Sequence, residues 1–181
     1  LQENVVASKR ARLGDADQDT VDSAHELALL LYGNGQFSEA EVLCRDLLDS
    51  SRKAFGDKHE RTATAANNLA LTLRAKGKFD EAEPLFRQAM ETRVQKLGRG
   101  DIKTASTMYE LGVTLLELGK IGESEALFRE SLAVFEEQLP PTHWQLALAE
   151  KNSAGAFVAL GRYDEAEKWL QAAREHGSGL R

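Results

Sequence analysis

Gly77 to Phe86 reads GKFDEAEPLF, and the same pattern stands at Gly35 to Cys44 as GQFSEAEVLC, at Gly119 to Phe128 as GKIGESEALF and at Gly161 to Leu170 as GRYDEAEKWL. The four glycines are 42 residues apart, each followed by an aromatic residue or Ile two places on and a glutamate six places on. Upstream of the blocks, VDSAHELALLLYG, ATAANNLALTLRA, ASTMYELGVTLLE and ALAEKNSAGAFVA align in turn. They carry apolar or small residues at the three-and-four spacing of a helix face. A fixed period of this length marks a repeat array, and each repeat reads as two helices and a turn. The expected fold is all-α, a stack of antiparallel helix hairpins.

The turn has a mechanism, because a glycine just past a helix takes the left-handed conformation that costs other residues about 1 kcal/mol or more. Three residues after it stand Ser38, Asp80, Gly122 and Asp164, which are expected to cap the second helix. Glu41, Glu83, Glu125 and Glu167 would complete capping boxes. Pro84 falls in the first turn, where no helical N–H bond is lost. Glu41 and Arg45, Glu83 and Arg87, and Glu125 and Arg129 are four apart, as surface ion pairs are. Small residues recur where helices must approach closely: Ala28, Ala70, Gly112 and Ala154 on the first helix, Ala40, Ala82, Ser124 and Ala166 on the second. Leu27, Leu69 and Leu111, Leu31, Leu73, Leu115 and Phe157, and Phe37, Phe79, Ile121 and Tyr163 are the expected core. A single hairpin cannot bury such a face alone, so stability comes from stacking.

The 181 residues, 42% hydrophobic and 29% charged, describe a soluble chain with a core. A net charge of -6 argues against a partner made of nucleic acid, which demands clustered Lys and Arg. No apolar run approaches the roughly 18 residues that span a membrane, and one cysteine, Cys44, builds no internal disulfide. A reducing, cytoplasmic setting is expected. The start at Leu1 without a signal-peptide pattern reads as a piece of a larger protein.

Small residue, Gly, aromatic, Ala and bulky residue in this order resemble the tetratricopeptide repeat. The 42-residue length, with NNLALTLRAKGKFDEAEPLFRQAM and KLG, resembles its kinesin light chain type. The resemblance implies a right-handed superhelical solenoid. Its repeats would span 15–56, 57–98, 99–140 and 141–176, with 1–14 as the end of a preceding second helix and 177–181 as a tail. It also implies a concave groove lined by the first helix of each repeat and used to bind a peptide or helix. Residues in that register are Asp22, His25, Glu26, Leu29 and Tyr32; Thr64, Asn67, Asn68, Leu71 and Arg74; Ser106, Tyr109, Glu110, Val113 and Leu116; Leu148, Lys151, Asn152, Gly155 and Val158. The peptide-binding candidates among them are His25, Tyr32, Asn67, Asn68, Leu71, Arg74, Tyr109, Val113, Leu116, Lys151 and Asn152.

Asn68 and Asn152 match the family's groove asparagine, whose amide both donates to and accepts from a peptide backbone. Glu26 and Glu110 depart from it. The family's clamp for acidic C-terminal tails would fall on His25, Leu29, Asn68, Ser106 and Glu110, of which Asn68 alone keeps its type. A ligand with apolar or aromatic anchors is therefore expected. Alternatively the array is a structural spacer, or a self-association element that joins through its open ends.

No catalytic motif emerges. His25, His59, His143 and His176 include no HExxH. His59 and His143, with Asp17 and Asp101 in equivalent places, are expected to cap first helices. Cys44 shares the register of Phe86, Phe128 and Leu170, a core position where a thiol is unreactive. No metal, cofactor or enzymatic activity is expected of this chain.

Overall fold

The helical period and the glycine punctuation produce eight helices among the described residues of the computed structural model, which are Ser8, Gly14, 18–140 and 143–177. They are α1 Gln18–Gly33, α2 Phe37–Phe55, α3 Glu60–Ala75, α4 Phe79–Leu97, α5 Ile102–Glu117, α6 Ile121–Gln138, α7 Trp144–Ala159 and α8 Tyr163–Gly177. No strand occurs among these residues. The segment 1–14 expected as the end of a preceding helix, and Asp17 as a cap, lie outside them apart from Ser8 and Gly14.

Gly35, Gly77, Gly119 and Gly161 have φ between 71° and 74°. At each, the glycine N–H donates three residues back and the next N–H donates five back, as in Gly77 to Arg74 (2.9 Å) and Lys78 to Leu73 (2.9 Å). This double closure ends the first helix and passes straight into the second. The second helix thus starts at the aromatic residue or Ile, with its cap two positions earlier than expected. Ser38, Asp80, Gly122 and Asp164 lie inside its first turn and do not cap it. Gln36 and Lys120 hold the cap positions without a side-chain bond. Expected capping does occur on the first helices, where His59 accepts from Arg61 N–H, Asp101 from Lys103 and Thr104, and His143 from Gln145.

The chain divides into two compact units, Leu1–Thr92 and Arg93–Arg181. In the first, α2 packs on α1 and α3, and α1 touches α3. In the second, α6 packs on α5 and α7, α7 on α8, and α5 touches α7. The expected small residues of the crossings are all buried. Ser124 Oγ donates to Gly112 O at 2.7 Å, and a Cβ at Gly112 would come within 2.9 Å of the Phe128 ring. Two expected core positions in the last hairpin differ. Tyr163 is 68% exposed and Leu170 38% exposed, whereas Cys44, Phe86 and Phe128 in the register of Leu170 are sealed. On the hairpins of α1 with α2 and of α5 with α6, a following first helix covers this side. Among the described residues none follows α8.

Candidate functional site

In the first unit α1 and α3 lie side by side, joined by Asp22 with Arg61 and by an amide-imidazole bond. Asn68 Nδ2 donates to His25 Nδ1 at 2.9 Å. Burial holds the His25 imidazole below its ordinary pKa against the opposing pull of Asp22 and Glu26, so the neutral ring accepts this bond. The Asn68 side chain is therefore engaged between repeats and only 9% exposed. Tyr32, Asn67, Leu71 and Arg74 are half-buried on the same pair of helices, with the Tyr32 ring edge-on to Phe37 at 5.5 Å. Leu29 and Leu30 are each 48% exposed.

The second unit repeats the junction between α5 and α7, where Asn152 Nδ2 donates to Tyr109 Oη. The Tyr109 ring is buried, 5.8 Å from Phe128 and 6.4 Å from Phe135, and so belongs to the core. Val113 and Leu116 pack against that core and stay half-buried, while Lys151 and Val158 are exposed. The structure thus brings His25 together with Asn68 and Tyr109 with Asn152, each pair 43 residues apart, as links between first helices. Both links came from residues expected only as ligand contacts. The spacing of one repeat plus one residue was the available signal.

The second helices carry a different pattern. The Glu41 carboxylate receives Lys76 (2.7 Å), Lys78 (2.9 Å) and Arg45 (2.8 Å), and Arg45 reaches Glu81 at 2.8 Å. These hydrogen bonds hold Glu41 down to about 2. In the second unit Glu125, Arg129, Arg162 and Glu165 form the same quartet, with both guanidiniums over the Phe157 ring at 4.8 and 5.0 Å. A cleft of about 340 Å³ beside Arg45 and Glu81 is lined by Leu48, Leu69, Pro84 and Leu85. Its counterpart of about 320 Å³ beside Arg129 and Glu165 is lined by Lys168, Trp169 and Ala172.

Burial pushes the Cys44 thiol up to about 11, with Sγ 3.9 Å from Thr72 Oγ1, which keeps it protonated and unreactive. Among the described residues no group of three His, Cys, Asp or Glu side chains is placed to hold a metal, and no helix is long and apolar enough to cross a membrane.

Paired helices repeated on one register define the class, an all-α helical-repeat protein of the solenoid type. One tetratricopeptide repeat model matches residues 19–95 and 66–137, and a second matches 109–179. The chain belongs to the tetratricopeptide repeat family. No curated protein matches it. Among solved structures it is similar to BtubC (BKLC) from P. vanneervenii, with a TM-score of 0.80 and 23% identity over 91% of this chain and 66% of that one. It is also similar to the kinesin light chain nearly identical TPR-like repeats of Podosopora anserina, with a TM-score of 0.82 and 24% identity over 99% of this chain and 84% of that one. A third is a Rap protein in complex with competence and sporulation factor, at 0.74 and 19% over 89% of this chain and 43% of that one. At these identities the likeness is one of fold.

Proposed function

We propose that this protein-interaction repeat module works without catalysis, binding a partner peptide or helix on the faces that the first helices form within its units. The observation that carries the reading is the contrast between faces. In each unit the first helices leave apolar and polar side chains half-open around a rigid inter-helix link, while the outer faces of the second helices are tied into ion quartets. Leu29, Tyr32, Leu71 and Arg74 in one unit, and Val113, Leu116 and Lys151 in the other, would receive the ligand. Asn68 and Asn152 act chiefly by fixing the spacing of the helices, with the amide oxygen still able to accept a bond from the ligand. The ligand would present apolar or aromatic anchors, since Glu26 and Glu110 oppose an acidic tail. The Rap protein, which carries a bound factor, gives the fold a precedent for a ligand. An unreactive Cys44 accords with a binding role, and a cytoplasmic setting with the absence of a membrane-spanning helix among the described residues.

A random-peptide library panned on the immobilised chain, followed by fluorescence polarisation with the winning peptide, tests the reading. Leu71→Asp and Leu116→Asp should weaken binding at least tenfold, and Val42→Asp, at a 65% exposed position on α2, should not. Equal loss from all three, or loss from Val42→Asp alone, would overturn it.

A further inference from the structure

The turn that ends α1 differs from the other three in the residue before its glycine. Asn34 stands there, where the later turns have Lys76, Leu118 and Leu160. In an asparagine followed by glycine the next backbone nitrogen reaches the side-chain carbonyl most easily, because the glycine has no Cβ to crowd the approach. Asn34 and Gly35 are both exposed, so water and base reach them. The helix before them also ends weakly. Gly33 takes the last position of α1, where α3, α5 and α7 have Ala75, Glu117 and Ala159, all better helix formers. Two main-chain bonds hold the segment, from Gly35 N–H to Tyr32 O at 3.0 Å and from Gln36 N–H to Leu31 O at 2.9 Å. The rings of Tyr32 and Phe37, edge-on at 5.5 Å, clasp the turn from its two helices. The Gly35 nitrogen is available for reaction only while its bond to Tyr32 is open.

We infer that Asn34 is a site of spontaneous deamidation, gated by opening of the turn between α1 and α2. When the turn opens, the Gly35 amide gives its proton to solvent base and its nitrogen attacks Cγ of Asn34. The new N–Cγ bond closes a cyclic imide, the Cγ–Nδ2 bond breaks, and Nδ2 leaves as ammonia. Water then opens the imide. Addition at Cγ breaks the new bond and leaves an aspartate. Addition at the main-chain carbonyl breaks the original peptide bond and leaves an isoaspartate, whose backbone runs through Cβ and Cγ. Either way one amide and one water become one carboxylate and one ammonium, with no oxidation or reduction. The isoaspartate lengthens the connection by a methylene, so the N–H groups of Gly35 and Gln36 no longer reach both carbonyls. Both products set a negative charge at the C-terminal end of α1, where the helix dipole opposes it. The site records how often this turn opens, and its product loosens the turn further. This inference goes beyond the peptide-binding reading, and its test contains no peptide, so either can fail alone.

Mass-spectrometric peptide mapping of the whole folded chain, held at mildly alkaline pH in water enriched in heavy oxygen, reads the outcome. The tryptic peptide Leu13–Arg45 holds Asn34 as its one asparagine, whereas Asn67 and Asn68 fall in Thr62–Arg74 and Asn152 in Asn152–Arg162. These last three lie inside α3 and α7 and serve as the comparison. Asn34 should convert at least about tenfold faster than Asn152, because a helix end opens far more often than a helix interior. Its products should carry one heavy oxygen each and include isoaspartate, detected with an isoaspartate-specific methyltransferase. Tyr32→Ala should convert several-fold faster than wild type, with circular dichroism melts confirming that it folds. Asn34→Lys, which borrows the residue of the next turn, should abolish conversion in that peptide and keep the wild-type melt. Conversion at Asn34 no faster than at Asn152, products without isoaspartate, or a folded Tyr32→Ala that converts no faster than wild type would each overturn the inference.

Discussion

Asn68 holds α3 to α1 through a side-chain bond to His25. Its register marks it as a groove asparagine, while its Nδ2 is committed to His25. Losing the amide leaves a part-buried acceptor without its donor, so Asn68→Ala should cost about 1–3 kcal/mol in urea denaturation. An unchanged midpoint would mean the link is not formed in solution. Combined with His25→Ala, the double variant should show a coupling of about 1 kcal/mol. Gly112 makes a sharper case, standing in the register of Ala28, Ala70 and Ala154. Its Cα faces the Phe128 ring, so Gly112→Ala should destabilise by a net of about 1 kcal/mol despite better helix propensity. The penalty should vanish in a Phe128→Leu background, as judged by thermal melts. That small residues occupy these sites was legible in the sequence. Which neighbour fills the missing volume was not, because the period fixes position along the chain and not the rotamer across a crossing. Glu150 marks the same limit. It is buried in the register of Ala24, Ala66 and Met108, a depth the period predicts for the place and the carboxylate disguises.

At the scale of the helix, the sequence located the four turns at Gly35, Gly77, Gly119 and Gly161 and every first-helix cap that falls among the described residues. It misplaced the second-helix caps by reading residue type without the geometry of the glycine turn. After a double closure the chain is already helical at the aromatic residue, so the carbonyls of Gln36, Lys78, Lys120 and Arg162 accept the first helical bonds. Asp101 is a true cap, and Asp101→Ala should cost about 1 kcal/mol in thermal unfolding. Glu41 was expected in a capping box and instead ties α2 to the two lysines after α3. Its pKa is depressed in the fold, so its contribution is present above the ordinary carboxylate range and is lost as pH falls from about 4.5 towards about 2. Melts recorded across that window should show a steeper loss for wild type than for Glu41→Gln, with the two curves converging at the acid end. Parallel curves would remove Glu41 from the account.

Across the whole molecule, periodicity accounts for the helix hairpins of both units. Exposed Leu30, Tyr163 and Leu170 depart in burial from the residues of their registers, because burial at such a position depends on a neighbour and not on its own residue type. The candidate binding residues were legible as a register. Their division into links, such as Asn68 and Tyr109, and open positions, such as Leu71 and Lys151, needed side-chain geometry. On the proposed function, the first helices meet the ligand and the second helices do not. Backbone amide chemical-shift mapping of the chain with its library-selected peptide tests it most directly. Perturbations are expected on α1, α3, α5 and α7, centred on Leu29, Leu71, Val113, Leu116 and Lys151. Perturbations centred on Val42, Arg45, Arg129 and Trp169 of the second helices would contradict it.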